Sequence, residues 1–575
     1  MEKKIILGDD LPENIKEEFR AYPELLGQLL FYRDIKTQAE AEKFLNPDYE
    51  KHSYDPFLIK GMDLAVERIL KAFKENEKIL IYSDYDADGI PGAVILSDFF
   101  KKIEFKNYEV HIPNRLREGY GLKTETIEKL KTRDIDLIIT IDGGITDVEP
   151  VKKAKELGID VIITDHHMVN GELPPADVIL NSKQEDDNYP DDMLCGAGLT
   201  FKLVLALIKK GDFSTLPTGR QVNKGWEKWL LDMVGLATIS DMVPLKNENR
   251  LLAHYGLMVL RKSPRPGLQK LLQKAWIKQH QIVEEDISFM IAPRINAASR
   301  VSDPRIAYDL LSATNEIEAG QLAEELDILN NKRKTLVATA VRKANKKIKE
   351  RGVKDVVVIG DPEWNVGLSG LIASSLQGEY NRPCFVWGTD ENGKYCGSCR
   401  AENIDLLELM NLVEKDVFEH LGGHKMAGGF GVNSEQIHFL EEKILTAYKN
   451  IESKIEQVEL FVDKKLSLDD INWDNYNLIE KMAPFGMGNK KPLFLFEGVE
   501  IFGEKAFGKT MNHLELVFKN SKNQKIKAIG FFSDYVEDKN TLLEIGQKIN
   551  FLAHIEKNTF GGVNELRLRI VEIIK

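Results

Sequence analysis

Ile79-Leu80-Ile81-Tyr82-Ser83-Asp84-Tyr85-Asp86-Ala87-Asp88-Gly89 is the stretch on which the fold turns. The apolar run at its start reads as a short buried strand, and it breaks off in carboxylates at alternate positions closed by a glycine. Like charges at that spacing repel unless a cation sits among them, and a hard divalent metal is the natural occupant. A calcium-binding EF-hand loop opens with the same pattern. It also needs a preceding helix and a glutamate at its twelfth position, whereas here a strand precedes and the twelfth residue is Ile95.

Further strand-like runs follow at Tyr108–Ile112, Ile135–Ile141, Val161–Thr164 and Val178–Leu180, with amphipathic stretches between them at Pro91–Lys102, Thr124–Thr132 and Glu149–Leu157. Alternation of this kind predicts an α/β fold with a doubly wound, mostly parallel sheet, in which ligands gather beyond the carboxyl ends of the strands. The reactive residues fall at those ends: Asp84, Asp86 and Asp88 after the first run, Asp142-Gly143-Gly144 after another, Asp165-His166-His167 after a third. Asp241, at the end of the apolar helical run Trp229–Ile239, is a further candidate. Mixed Asp and His ligands with room for two ions fit a dinuclear phosphoryl-transfer centre, and the lack of a cysteine in the set argues against soft-metal chemistry.

The chain of 575 residues is too long for one core, and at about 150 residues per domain it predicts three or four. With 43% hydrophobic and 29% charged residues, no apolar run near 18 and no start resembling a signal peptide, it reads as a soluble, cytoplasmic protein without a membrane segment. A net charge of -13 argues against broad basic patches but leaves room for local ones. Cys195, Cys384, Cys396 and Cys399 are too scattered for a disulfide framework. Cys396 and Cys399 have zinc-like spacing without a second Cys or His pair nearby.

Residues 1–55 read as an N-terminal helical cap on the domain that follows, residues 56–245 as the catalytic domain, and 246–351 as a helical connector. The connector ends in a long polar helix from Thr314 to Arg351, whose basic stretches, Lys332-Arg333-Lys334 among them, read as a solvated face. Arg294 to Arg300 reads as irregular, with two forked guanidiniums suited to phosphate. A second α/β domain occupies 352–455. Six strand-like runs within 456–575 suggest an OB-like barrel, where Phe507 with Lys509, or Phe531 with Phe532, are candidates for stacking on bases.

These motifs in this order resemble the DHH phosphoesterases. Asp165-His166-His167 is that family's signature, Asp86-Ala87-Asp88-Gly89 and Asp142-Gly143-Gly144 look like its other metal motifs, and Gly422–Gly429 is similar to the glycine-rich motif of its associated DHHA1-type domain. Arg115 with Glu118-Gly119-Tyr120-Gly121, Pro293-Arg294-Ile295-Asn296-Ala297 and Pro484-Phe485-Gly486-Met487-Gly488-Asn489 extend the resemblance to its branch of 5′→3′ single-strand-specific DNA exonucleases.

The resemblance implies two divalent ions, Mn²⁺ or Mg²⁺, with Asp86, Asp88, Asp142, His166 and Asp241 as ligands and Asp84 in or beside the first shell. It gives His167, Asp142 and Asp84 catalytic roles, His167 contacting the scissile phosphate or helping to activate water, and it assigns substrate contacts to Arg115, Tyr120, Arg294, Asn296, Arg300, Ser398, Arg400, Gly423 and His424. Single-stranded DNA is the implied substrate, in repair and recombination, with a single-strand-binding protein and a helicase as partners of a monomer. Tyr82, Ser299 and Asn365 depart from residues usual in relatives (His, Gly and His). Rival readings are a phosphodiesterase of short oligonucleotides or cyclic dinucleotides, a catalytically silent strand-binding scaffold, and a phosphatase with an aspartyl nucleophile.

Overall fold

The computed structural model describes residues 4–169, 171–213, 222–451, 459–508, 511–531, 543–558 and 564–574. Lys509 and Phe532 lie outside them. The chain divides into two units, one of Ser53–Gln457 and one of Glu2–His52 with Val458–Lys575.

The first unit opens on a five-stranded sheet, β1 (Ile79–Ser83), β2 (Tyr108–His111), β3 (Leu137–Ile141), β4 (Asp160–Thr164) and β5 (Val178–Leu180), in the order β2-β1-β3-β4-β5 with every pair parallel. Residues of β1 and β3 are buried throughout, as strands covered by helices on both faces must be. The strand order reverses at β1, so the loops leaving β1 and β3 flank the crevice where open α/β sheets bind ligands. Around this edge stand α1 (Gly89–Lys102), α2 (Gly196–Lys210), α3 (Leu231–Ser240) and α4 (Asn247–Leu260).

Arg294 to Arg300 is helical rather than irregular: α5 (Ala292–Val301) continues without a break from a π-helical turn, Ile287–Ile291, and Pro293 stands just after that junction. Ser299 is accommodated there in ordinary helix. α6 (Glu316–Arg351) is 36 residues long, about 54 Å, capped by the Asn315 side chain on Glu318 N–H. The second sheet of this unit, β6 (Val357–Asn365), β7 (Cys384–Thr389), β8 (Tyr395–Arg400), β9 (Phe418–His424) and β10 (Ala427–Val432), has the order β9-β10-β8-β7-β6, and α7 (Val366–Tyr380) follows β6 directly.

In the second unit a seven-stranded sheet includes Gly503–Phe507, a strand the alternation pattern did not mark, and its core stacks Phe496 and Phe518 on either side of Phe551 at centroid distances of 5.2 and 5.0 Å. The N-terminal segment was expected to cap the catalytic domain, but it belongs to this unit. Lys4–Leu7 pairs in parallel with Glu459–Val462, and Leu11, Phe19, Leu26 and Leu29 share one apolar cluster with Phe494, Phe496 and Phe551. No helix of the described residues is long and apolar enough to cross a membrane.

Candidate active site

The turn after β1 is built by its own carboxylates. Asp86 Oδ1 accepts the N–H groups of Asp88 and Gly89 at 2.8 and 3.1 Å, closing the chain into α1. A Cβ on Gly89 would stand 2.5 Å from the Asp84 carbonyl oxygen, so only glycine allows the turn. Asp88 is fixed from across the crevice, its two oxygens accepting Gly196 N–H at 2.6 Å and Ala197 N–H at 2.8 Å, so the positive end of α2 faces it. After β3, Asp142 takes a left-handed φ of 61°, a conformation that costs energy and collects at functional sites.

His166 completes the centre. Its Nε2 lies 3.2 Å from Asp142 Oδ1, 3.6 Å from Asp241 Oδ2 and 3.7 Å from Asp88 Oδ2. Burial, then the charge of His167, lowers its imidazole to about 3, so the ring is neutral. Its hydrogen bond to the Leu194 backbone occupies the other ring nitrogen, which leaves a lone pair on Nε2. His166 Nε2, Asp142 Oδ1 and Asp84 Oδ1 are all buried without a hydrogen-bond partner. A cation among these converging lone pairs would satisfy them all at once, so the donor set fits a hard divalent metal. Burial followed by mutual repulsion drives the carboxyls upward, Asp88 to about 7, Asp241 to about 9, and Asp84 and Asp142 well above the ordinary range. Three overlapping groups could each hold an ion: Asp84 with Asp86 and Asp142, Asp88 with His166 and Asp241, and Asp142 with His166 and His167. Asp142 links the first of these to the third, and His166 links the third to the second.

His167 faces a different task. Its Nδ1 lies 2.7 Å from Asp165 Oδ1, and Asp165 Oδ2 accepts Ile145 N–H at 2.9 Å. Burial opposes both charges, yet the pair prevails, holding His167 above and Asp165 below the ordinary values. Tyr120 Oη is 3.3 Å from the same Nδ1. Tyr82 donates to the Gly121 carbonyl at 3.1 Å, so this tyrosine fastens the Tyr120 loop.

Beside the acidic cluster stands a basic one. The Arg115 guanidinium lies 5.3 Å from the Tyr85 ring centroid, Arg300 Nη1 donates to the Gly367 carbonyl at 2.8 Å, and Arg400 Nη1 donates to the Cys399 carbonyl at 2.7 Å. Ser398 Oγ is 3.0 Å from Ser369 Oγ, in the first turn of α7. Asn365 caps that helix through Gly367 N–H at 2.8 Å. Burial, then the nearby charges of Arg115 and Arg333, lowers Arg300 to about 9.

Two expected contacts look different in place. The glycine-rich run forms the β9–β10 hairpin, in which Gly423 pairs with Gly428, so much of its backbone is engaged in the ladder and it forms no open anion cradle. The hairpin does set His424 opposite Ala427, which in turn stands opposite Arg400, two strand spacings or about 10 Å away. Arg294 is not free for phosphate. Its Nε and Nη2 both reach Asp327 Oδ1 at 3.1 Å, and Nη1 donates to the Met290 carbonyl at 2.7 Å. Asn296 keeps a buried Oδ1 without a partner on the same helix.

Sequence reasoning passed over Asp165 as a working residue, although its place in the Asp-His-His triple was a signal. It also missed the α2 N-terminus behind Asp88 and Lys183, whose Nζ donates to the His166 carbonyl. Neither carried a local signal.

Residues 78–238 match the DHH family N-terminal domain, 353–456 the DHHA1 domain and 462–572 the RecJ OB domain. With the acidic crevice, these matches define a DHH-class phosphoesterase with an appended OB domain. The chain is 33% identical, over 98% of its length and 69% of the relative's, to the single-stranded-DNA-specific exonuclease RecJ of Bacillus subtilis. It is 30% identical to that of Haemophilus influenzae, over 99% and 98% of the two chains. A crystal structure of Thermus thermophilus RecJ in complex with Mn²⁺ shares the fold at a TM-score of 0.82, with 24% identity, covering 100% of this chain and 79% of that one. A structure of exonuclease RecJ bound to manganese is 30% identical over 68% of this chain and 94% of its own, at a TM-score of 0.57. The chain belongs to the RecJ family of single-stranded-DNA-specific exonucleases.

Proposed function

We propose that this protein hydrolyses the phosphodiester bonds of single-stranded DNA stepwise from the 5′ end, as a metal-dependent exonuclease of DNA repair and recombination. The observation that carries the reading is the convergence of His166 Nε2 and Asp142 Oδ1 at 3.2 Å with no hydrogen bond between them, amid four further carboxylates. Asp84, Asp86, Asp88, Asp142, His166 and Asp241 would hold two divalent ions, Mn²⁺ or Mg²⁺. Bound there, such ions supply Lewis-acid stabilisation of phosphoryl charge and make water acidic enough to serve as nucleophile.

The chain's own groups do the rest. His167, whose imidazole Asp165 biases toward the protonated form, donates a hydrogen bond to the scissile phosphate, and Tyr120 sets the ring. Arg115, Arg300, Ser398 and Arg400 hold the terminal phosphate, with the α7 N-terminus adding its partial positive charge. Asn296, Gly423 and His424 border the strand's path. In the OB domain the rings of Phe507, His513 and Phe531 lie within 6.5 Å of one another, and Phe531 is exposed, a platform suited to stacking bases. The protein acts as a cytoplasmic monomer, with a single-strand-binding protein and a helicase as partners.

The test is digestion of single-stranded DNA labelled at its 5′ or 3′ end, with Mn²⁺, Mg²⁺ or chelator and beside duplex. Release of mononucleotide from the 5′ label, dependent on metal and absent on duplex, is the expected result. Cleavage confined to dinucleotides would point instead to a small-substrate phosphodiesterase, and binding without cleavage to a silent scaffold.

A further inference from the structure

α5 and α6 pack against each other, and their ion pairs and charges set a register. Arg294 meets Asp327, and six residues further along both helices Arg300 feels the charge of Arg333, an offset of 33 in each case. Two arginines thus approach this seam besides Arg300, and their situations are opposite. The Arg294 side chain is buried and neutralised by Asp327. Arg333 is half-buried, has no carboxylate partner among the described residues, and its Nε is buried without any hydrogen-bond partner. Between them Asn330 is 1% exposed, with neither its Oδ1 nor its Nδ2 bonded.

A solvated helix face leaves its guanidiniums in water, where they need no partner. Arg333 instead turns its Nε into the interior, on the helix packed against the one that carries Arg300, where the charges of Arg294 and Arg300 both reach it and no carboxylate pairs with it among the described residues. Arg300 and Arg333, both half-buried and without a carboxylate partner among the described residues, repel each other unless an anion joins them. Arg300 and Arg333 stand on two helices that pack against each other, so an anion at that seam can meet a fork from each.

We infer that Arg333, rather than Arg294, is the connector's second phosphate-binding arginine: it contacts a phosphate of the bound DNA strand together with Arg300. The inference rests on the reading of the protein as a single-strand exonuclease and names a residue of its substrate track that no sequence motif marks. Asn330, one turn before Arg333 on α6, is placed to bond the same phosphate or to hold the guanidinium.

The test is equilibrium binding of a fluorescent single-stranded oligonucleotide to the full chain in chelator, where no cleavage intrudes, over a series of salt concentrations. Variants Arg333→Gln, Arg333→Lys and Arg294→Gln are compared with the parent, with thermal unfolding as the check on folding. Each phosphate contact of a single strand contributes about 0.7 to the slope of log K against log salt. Arg333→Gln should weaken binding on the order of 10-fold and lower the slope by about 0.7. Arg333→Lys should keep the slope and lose affinity, because charge is retained and the fork is not. Arg294→Gln should leave the slope alone and lower the unfolding temperature, since Asp327 loses its partner. An unchanged slope and affinity in Arg333→Gln overturns the inference while the exonuclease reading stands. A parent protein that fails to bind single strands overturns that reading itself.

Discussion

Both oxygens of Asp88 accept backbone N–H groups from the first turn of α2, and the nearer donor, at 2.6 Å, is Gly196. A Cβ added to Gly196 would lie 2.6 Å from Cβ of Asp142, so the helix can reach Asp88 only because glycine stands there. Gly196→Ala must therefore push α2 away from two carboxylates of the proposed metal site at once. We expect exonuclease activity to fall by at least about 100-fold, as displacements near 1 Å do in active sites, while far-ultraviolet circular dichroism keeps the parent spectrum. Calorimetric titration with Mn²⁺ should show weakened binding. Parent-like activity would mean that the helix is not tightly set against Asp142.

The mutual repulsion of Asp84, Asp88, Asp142 and Asp241 makes the metal-free site a liability that a bound cation removes. Adding Mn²⁺ at about 100 times its Kd should stabilise the protein by about 2.7 kcal/mol and raise the Tm accordingly. Asp142→Asn suits the left-handed backbone at this position, since asparagine adopts it readily. This variant should unfold no more easily than the metal-free parent, lose most of the metal-induced rise in Tm, and cleave no DNA. Differential scanning calorimetry with and without chelator checks all but the last.

Lys202 on α2 and Glu248 on α4 form an ion pair with neither side chain exposed, and Ser53, Tyr54 and Tyr189 complete its hydrogen bonding. Lys202→Met leaves a buried carboxylate without its cation and should cost about 3–5 kcal/mol. The double variant Lys202→Met with Glu248→Leu removes both charges and should recover part of that loss, the remainder reflecting the Ser53, Tyr54 and Tyr189 donors left without their acceptor. Urea unfolding of the parent, both single variants and the double variant gives the coupling energy directly.

The first sheet was legible because its strands announce themselves twice, as apolar runs and by the residues that end them. Asp142 and Asp165-His166-His167 each follow a run buried on both faces, and the parallel order brings those ends together. What stayed hidden depends on partners far away in sequence. Lys4–Leu7, Lys-Ile-Ile-Leu, is apolar and β-branched but too short to mark a strand by itself, and its partner Glu459–Val462 lies more than 450 residues away. The exchange of roles between Arg294 and Arg333 was equally unreadable. Which face of α6 turns inward is decided by α5, and only the fold places Asp327 beside one arginine and not the other. The resemblance assigned substrate contacts to Gly423 and His424 in the run Gly422–Gly429, but these glycines also permit the close strand pairing observed, in which a Cβ on Gly423 would meet the Ala427 carbonyl oxygen at 2.4 Å.

In the OB domain, Glu556 is surrounded by Lys491, Arg567 and Arg569, each 3.4 Å from one of its oxygens. Burial pushes its carboxyl up, but the three cations outweigh burial and hold it below the usual range. A carboxyl whose folded value is depressed stabilises the fold at pH above its unfolded value, and that contribution disappears as pH falls through the folded value. Glu556→Gln should therefore destabilise this domain at neutral pH, by about 1–3 kcal/mol for the lost charge-assisted bonds. The gap between variant and parent should narrow steadily below about pH 4, where the parent's carboxyl becomes neutral as well. Because the substitution leaves three cations without their common counter-charge, it should also tighten single-strand binding at low salt if this face meets DNA. Unfolding curves across pH, paired with oligonucleotide binding at two salt concentrations, separate the effect on stability from the effect on charge.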